Sequence, residues 1–103
     1  MMRVTIVPED KAVTVNGEGY GNLDLSFIDN TIHAVQWYDT HGEVERKDPI
    51  TQKMISNEEI TSFDDFQQAI VVWQTEKDRV AAELLAIAAR QAIPVGGEPN
   101  VIA

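Results

Sequence analysis

Residues 63–93 contain neither glycine nor proline, and this run constrains the fold more than any other part of the chain. Ser62 comes just before the run and suits an N-cap, and two aspartates in the first turn favour the positive end of the helix dipole. Pro94 and two glycines follow, which stop a helix. The run therefore predicts a single helix of roughly 30 residues, which would be about 45 Å long.

Such a helix is longer than the rest of a small domain can cover, because strands of five or six residues span only about 17–20 Å. Apolar residues nevertheless recur at heptad-like spacing along the whole helix, with Lys77 as an interruption. The positions are Phe66, Ile70, Trp73, Val80, Leu84 and Ile87. We expect the first three to dock on a sheet and the last three to contact another copy of the chain or a different partner, while the alternative is that the whole stripe packs on the protein's own sheet.

A break in this helix near Thr75 is the alternative. Thr75 is a suitable N-cap for a second helix, with Asp78 at the third helical position. Two short antiparallel helices would then cover each other, and no partner would be needed.

Residues 1–60 have the alternation of a small antiparallel sheet. Residues 3–7 and 12–15 predict one hairpin, with a turn that begins at Pro8. Residues 32–38 and 43–47 predict a second hairpin, and the LDLSFI segment between them supplies apolar groups to the core as a helical turn or a connector. The expected fold is α+β, with both hairpins in 1–60, one long amphipathic C-terminal helix in 61–93 and a loose tail in 94–103.

The second hairpin lies within IHAVQWYDTHGEVE. Asp39 and Gly42 suit the first and last positions of a type I turn, with Gly42 at positive φ. In that arrangement Tyr38 would face Val44 across the two strands.

The same hairpin carries the only histidines of the chain, and His33, Asp39 and His41 are the candidates for a metal or acid–base site. The histidines are separated by a predicted turn, and the chain has no HExxH motif, no cysteine and no third histidine. We therefore expect a strand and a polar turn here, with no metal, no cofactor and no catalytic residue.

The NGEGYGN segment also invites a functional interpretation, because glycine-rich loops can bind phosphate groups. Its glycines are not spaced as GxGxxG, no Lys-Ser or Lys-Thr pair follows, and no helix comes directly after it. The segment is expected to be a flexible turn that reverses the chain and places Tyr20.

Composition excludes several classes of partner. The chain of 103 residues has a formal net charge of −9, and its acidic side chains are spread over both halves. Nucleic acids and anionic membranes require clustered Lys and Arg, so neither is expected as a partner. No segment has the roughly 20 apolar residues of a membrane span, and the N-terminus does not read as a signal peptide.

Four parts of the chain, taken as a set, resemble small proteins of tailed phages and prophages that are encoded beside tail-fibre genes. These parts are VNGEGY, LDLSFI, HAVQWY…GEVE and the helix that begins with ITSF. The resemblance covers most of residues 2–79. It implies either a virion component or an assembly factor for the tail fibre, located in the host cytoplasm during phage assembly or in the virion tail. It carries over no catalytic or binding residue.

Two function classes remain open at this point. The first is a structural or tail-fibre assembly accessory protein that acts by protein–protein interaction, as a homo-oligomer or with the tail-fibre protein. The second is a small ligand-binding domain or enzyme that uses His33, Asp39 and His41. The first is favoured, because the sequence shows an overlong amphipathic helix and lacks a nucleophile–base pair, a phosphate loop and metal-ligand spacing.

Overall fold

The computed structural model describes residues 2–92, which form one antiparallel sheet followed by one long helix. The expected α+β class is confirmed. In chain order the elements are β1 (Arg3–Val7), a 3-10 turn (Pro8–Asp10), β2 (Ala12–Val15), β3 (Glu18–Tyr20), β4 (Ile32–Tyr38), β5 (Gly42–Arg46), β6 (Glu58–Ile60), a second 3-10 turn (Asp64–Phe66) and α1 (Gln67–Ala92). The predicted tail, 94–103, lies outside the described residues.

The six strands lie in the order β3-β2-β1-β4-β5-β6, and every neighbouring pair is antiparallel. β1 is central because it pairs with β2 on one side and with β4 on the other. The connection from β3 to β4 must therefore return from the edge of the sheet to its middle. It buries Leu23 and Leu25 on the way, while Phe27 stays 44% exposed, so LDLSFI is a connector that feeds the core.

The prediction of a flexible turn at NGEGYGN was wrong in part, because residues 18–20 form strand β3. Asn16 and Gly17 make a tight connection with φ angles of 50° and 86°. Positive φ at both central residues of a two-residue hairpin loop is typical of a type I′ turn, whose twist matches that of the paired strands. The turn brings Glu18 opposite Val15 and Tyr20 opposite Val13.

The predicted register of the second hairpin was also wrong. Trp37 pairs with Gly42 and Val35 pairs with Val44, so Tyr38 does not face Val44. The positive φ falls on Asp39 (71°) rather than on the glycine, and the loop between the strands is shorter than predicted.

Gly42 has a different role from the one expected, since it lies inside a strand and not in the turn. A Cβ atom at this position would lie 2.3 Å from the main-chain oxygen of Gln36 and 2.9 Å from a ring carbon of Trp37. Only glycine allows the two strands and the indole ring to approach this closely.

Strand β6 was not predicted from the sequence. It pairs with β5 at the outer edge of the sheet, with Glu59 opposite Glu43 and Ile60 opposite Gly42. Arg46 neutralises part of the charge there through its contact with Glu58, at 3.0 Å. A three-residue strand with two carboxylates has little intrinsic preference for a sheet, so its pairing depends on tertiary structure.

One face of the sheet is apolar and buried, and the other is polar and open. Because side chains alternate along a strand, the paired strands place one continuous row of apolar groups on the same face. The members of this row are Val4, Ile6, Val13, Val15, Val35, Trp37 and Val44, all in the core. The opposite face carries polar groups such as Thr5, which donates its hydroxyl hydrogen bond to Gln36 at 2.9 Å.

Helix α1 begins after an aromatic turn and continues without a break to Ala92. The Ser62 hydroxyl accepts a hydrogen bond from the Asp64 amide at 3.2 Å, but the N-cap of the 3-10 turn that leads into the helix is Phe63, one residue after the predicted N-cap. Phe63 contacts Trp37 with 5.5 Å between ring centroids and fixes the turn on the core. The helix covers 26 residues, about 39 Å, and the alternative of a break near Thr75 is not what the structure shows.

Candidate interaction surface

The first half of α1 and the 3-10 turn before it pack against the sheet through apolar side chains. Phe66, Ala69 and Trp73 are buried in the core, and Ile70 packs against it. The helix contacts β2 and β3, so it covers the β3 side of the sheet, while the turn before it covers the region around Trp37.

Trp73 and Lys77 form the last attachment of the helix to the sheet. The indole N–H of Trp73 donates to the main-chain oxygen of Glu18 at 2.9 Å, and the ring lies edge-on to Tyr20 at 5.9 Å. One turn later the Lys77 ammonium lies 3.1 Å from the Glu18 carboxylate and 5.1 Å from the centroid of the Trp73 ring. Both charged side chains of this pair are more than 40% exposed, so the buried indole supplies most of the attachment energy.

The electrostatics at this point centre on Glu18. Its carboxylate accepts a hydrogen bond from the Tyr20 hydroxyl at 2.7 Å. This hydrogen bond lowers the pKa of Glu18, and the contact with Lys77 lowers it further. The same hydrogen bond raises the pKa of Tyr20, because it favours the protonated phenol.

Beyond Lys77 the helix projects away from the sheet. We call residues 78–92 the distal segment, which is about 22 Å long. Val80, Leu84 and Ile87 lie on the face that covers the sheet in the first half of the helix, yet none of them belongs to the core cluster. Leu84 is 61% exposed, and Val80 and Ile87 are half-buried.

Leu85 adds to this apolar surface and was not among the predicted stripe residues. It is 72% exposed, which is more than any other large apolar side chain of the helix. The signal was the double leucine in ELLAIAA, which puts an apolar group one position outside the stripe. Five alanines between positions 81 and 89 complete a segment that is apolar around most of its circumference. A helix with that pattern is normally buried.

Charge is concentrated at the base of the distal segment. Arg79 bonds to Glu76 at 2.8 Å and to Glu83 at 3.2 Å, which makes a ladder along one side of the helix. Hydrogen bonding and charge from Glu76 raise the pKa of Arg79, and the guanidinium in turn lowers the pKa of Glu76. From 80 to 92 the only charged side chains in the sequence are Glu83 and Arg90, so this part is neutral within a strongly acidic chain.

The residues of the alternative site do not come together. Asp39 accepts a hydrogen bond from the Met2 amide at 3.1 Å, and His41 stacks on Tyr38 with 5.6 Å between ring centroids. His33 lies at the other end of β4, and the five residue-to-residue steps from His33 to Tyr38 span about 17 Å in an extended strand. Among residues 2–92, no group of three His, Asp or Glu side chains is placed to hold a metal ion.

His33 has an irregular position that the sequence did not reveal. The pairing of β4 with β5 shifts between Ile32 and Ala34, so His33 is the extra residue of a β-bulge. Its Nδ1 is buried and has no hydrogen-bond partner within the described part of the chain. His33 lies near Glu9, whose carboxylate is paired with Lys47 at 2.8 Å.

The described residues form two other surface features. A cleft of about 530 Å³ lies between the β3–β4 connection and the first 3-10 turn, and Glu9 and Lys47 are part of its wall. The connector between β5 and β6 exposes Ile50, Met54 and Ile55 at 90%, 54% and 50%.

Within residues 2–92, no helix combines the length and the apolar character that crossing a bilayer requires.

Comparison of the chain with protein families, with curated proteins and with solved structures gives no match.

Proposed function

We propose that the protein acts by protein–protein interaction through the distal segment of α1, as a structural or tail-fibre assembly accessory protein of a tailed phage or prophage. The observation that carries the interaction role is the continuity of the helix past the end of its own sheet. The phage context rests on the resemblance of the sequence segments and gives the partner to test first. This role would place the protein in the host cytoplasm during assembly or in the virion tail.

Energetics support a partner for the distal segment. Full burial of a Val, Leu or Ile side chain is worth roughly 1.5–3 kcal/mol relative to exposure. Leu84 and Leu85 keep 61% and 72% of their surface in water, so much of that energy is unused in the single chain. An isolated helical stretch of this length is marginal in water, and a partner would stabilise both the side chains and the helix itself.

The alternative of a ligand-binding domain or enzyme has less support. It needs His33 to work with Asp39 and His41. His33 lies near the start of β4, whereas Asp39 and His41 come after its end. A general base must be within hydrogen-bond reach of its substrate proton, and a second catalytic group must reach the same substrate. An interaction through the distal segment needs no change of conformation, because Leu84 and Leu85 are already exposed.

The test is co-expression of the tagged protein with the tail-fibre protein of its own gene cluster, followed by affinity capture. We expect the wild type to retain the fibre protein and Leu84→Asp to lose it, because a carboxylate in the stripe opposes burial. Val71→Asp is the matched control, since Val71 is 54% exposed on the same helix but lies beside the sheet. Fibre capture that survives Leu84→Asp, or no capture by the wild type, would contradict the proposal.

A further inference from the structure

We propose that the distal segment pairs with the same segment of a second copy in an antiparallel arrangement, with Leu84 of one copy opposite Ile87 of the other. The inference deepens the proposed function and rests on it for the choice of this segment as the interaction element.

The contact line of such a pair, which we call the seam, follows the apolar stripe of the distal segment and continues to Gln91. Val80, Leu84, Ile87 and Gln91 follow one another at spacings of four, three and four. This is the spacing at which two helices pack side by side with interlocking side chains. With Leu84 opposite Ile87, the outer layers of the pair each join Val80 of one copy to Gln91 of the other.

The path of the chain selects the antiparallel direction. The seam is the continuation of the helix face that lies on the sheet, and Trp73 on that face is buried by the sheet. In a parallel pair the two sheets would both have to occupy the space between the two helices at the same level. They would collide, and Lys77 of each copy would face Lys77 of the other. Reversal of one helix puts the two sheets at opposite ends of the pair.

Charge selects the register. Glu83 and Arg90 are seven positions apart, and each directly precedes a seam residue. When Leu84 faces Ile87, Glu83 of each copy lies beside Arg90 of the other, offset by about 3 Å along the axis. The pair then contains two symmetric ion pairs. A shift by one heptad toward the sheets would place Glu83 against Glu83 and Lys77 against Ile87, which is unfavourable on both counts.

The length of the segment fits the same register. Ala92 of the second copy comes opposite Arg79, two residues beyond Lys77, where cover by the sheet ends. The seam is thus used from 79 to 92 before the incoming helix would meet the sheet. The two Lys77 positions are then about 25 Å apart along the common axis. The acidic sheets are separated by more than the screening distance of about 8 Å at physiological salt.

The flanking residues on the other side of the seam are Ala81 and Ala88. In the proposed register they lie next to each other across the pair and allow close approach of the helices. The natural chain has no cysteine, so paired cysteines at these positions would report the direction without interference. A mixture of Ala81→Cys and Ala88→Cys proteins should form a cross-linked dimer of unlike chains in preference to either like pair.

The decisive experiment is a charge exchange measured by sedimentation from about 10 µM to 1 mM, a range suited to a small and weak interface. We expect the wild type to dimerise. Glu83→Arg alone and Arg90→Glu alone should each weaken the dimer at least tenfold, because each creates two like-charge contacts. The double variant should recover an affinity within about threefold of the wild type. Circular dichroism of each variant separates dissociation from loss of helix.

Glu76→Arg is the matched control, because it makes the same charge change as Glu83→Arg and likewise removes a contact with Arg79, but lies outside the paired stretch, 79–92. It should leave the dimer unchanged. A wild type that stays monomeric at 1 mM, single variants without effect, or a double variant as weak as the singles would overturn the inference. If the chain is monomeric but still captures the fibre protein through Leu84, the proposed function stands and this inference alone falls. If the chain dimerises but captures no fibre protein, the tail-fibre role falls and the antiparallel pair stands.

Discussion

Replacement of Trp73 tests whether the helix is held where the structure places it. Trp73 is only 6% exposed, and truncation of a buried aromatic residue costs about 3–5 kcal/mol. A domain of this size has about 5–15 kcal/mol of total stability, so Trp73→Ala should remove a large part of it. Trp73→Phe keeps most of the ring but loses the hydrogen bond to Glu18, and should cost only about 1–2 kcal/mol.

Urea denaturation followed by far-ultraviolet circular dichroism measures both losses. Trp37 remains in these variants and reports the core by fluorescence, since it lies on the buried face of the sheet. Val71→Ala is the control on the exposed side of the same helix and should change the free energy of unfolding by less than about 0.5 kcal/mol. A loss below about 1 kcal/mol in Trp73→Ala would show that the helix is not anchored by this residue and would remove the basis for a defined overhang.

Three further predictions concern the sheet. Gly42→Ala should destabilise the protein by at least about 1–3 kcal/mol in urea denaturation, because its Cβ would meet main-chain atoms, whereas Gly21→Ala meets nothing within 4 Å and should be close to neutral. The folded-state pKa of Glu18 is lowered, so its contribution to stability is present above the unfolded pKa near 4.5 and is lost as the pH falls through the folded value. Tyr20→Phe should therefore raise the Glu18 pKa toward its usual value in a carbon-detected NMR titration, and an unchanged pKa would contradict the hydrogen bond. Calorimetric titration with Zn²⁺ should show no site of about micromolar affinity, and a tight site abolished by replacing either histidine would prove this wrong.

The helix was predictable from the sequence, and so was its extension beyond the sheet. A run without glycine or proline and a stripe at heptad spacing depend on neighbours along the chain, so local reasoning suffices. The same is true of β1 and β2, whose residues alternate. A helix of the predicted length must extend beyond strands of five or six residues, and Leu84 in this extension is 61% exposed.

The details of the sheet were less accessible, because they depend on contacts between distant residues. The register of β4 and β5 was misjudged since glycine is the usual residue at positive φ, and here Asp39 takes that conformation while Gly42 is needed for close approach. Strands β3 and β6 are too short and too polar to be recognised from periodicity. Glu18 lies on β3, so the contact between Lys77 and Glu18 could not be predicted without that strand.

The β6 edge has a consequence for how many molecules can join. An outer strand normally offers its unpaired amides and carbonyls as a template on which further chains can add. Here that template is three residues long and carries Glu58 and Glu59, so an added strand of a like chain would bring more carboxylates to an acidic border. Growth of the sheet at this edge is therefore unfavourable. In the antiparallel pair proposed above, the contact at the far end of the helix would be two-fold, so it would close on itself and could not propagate.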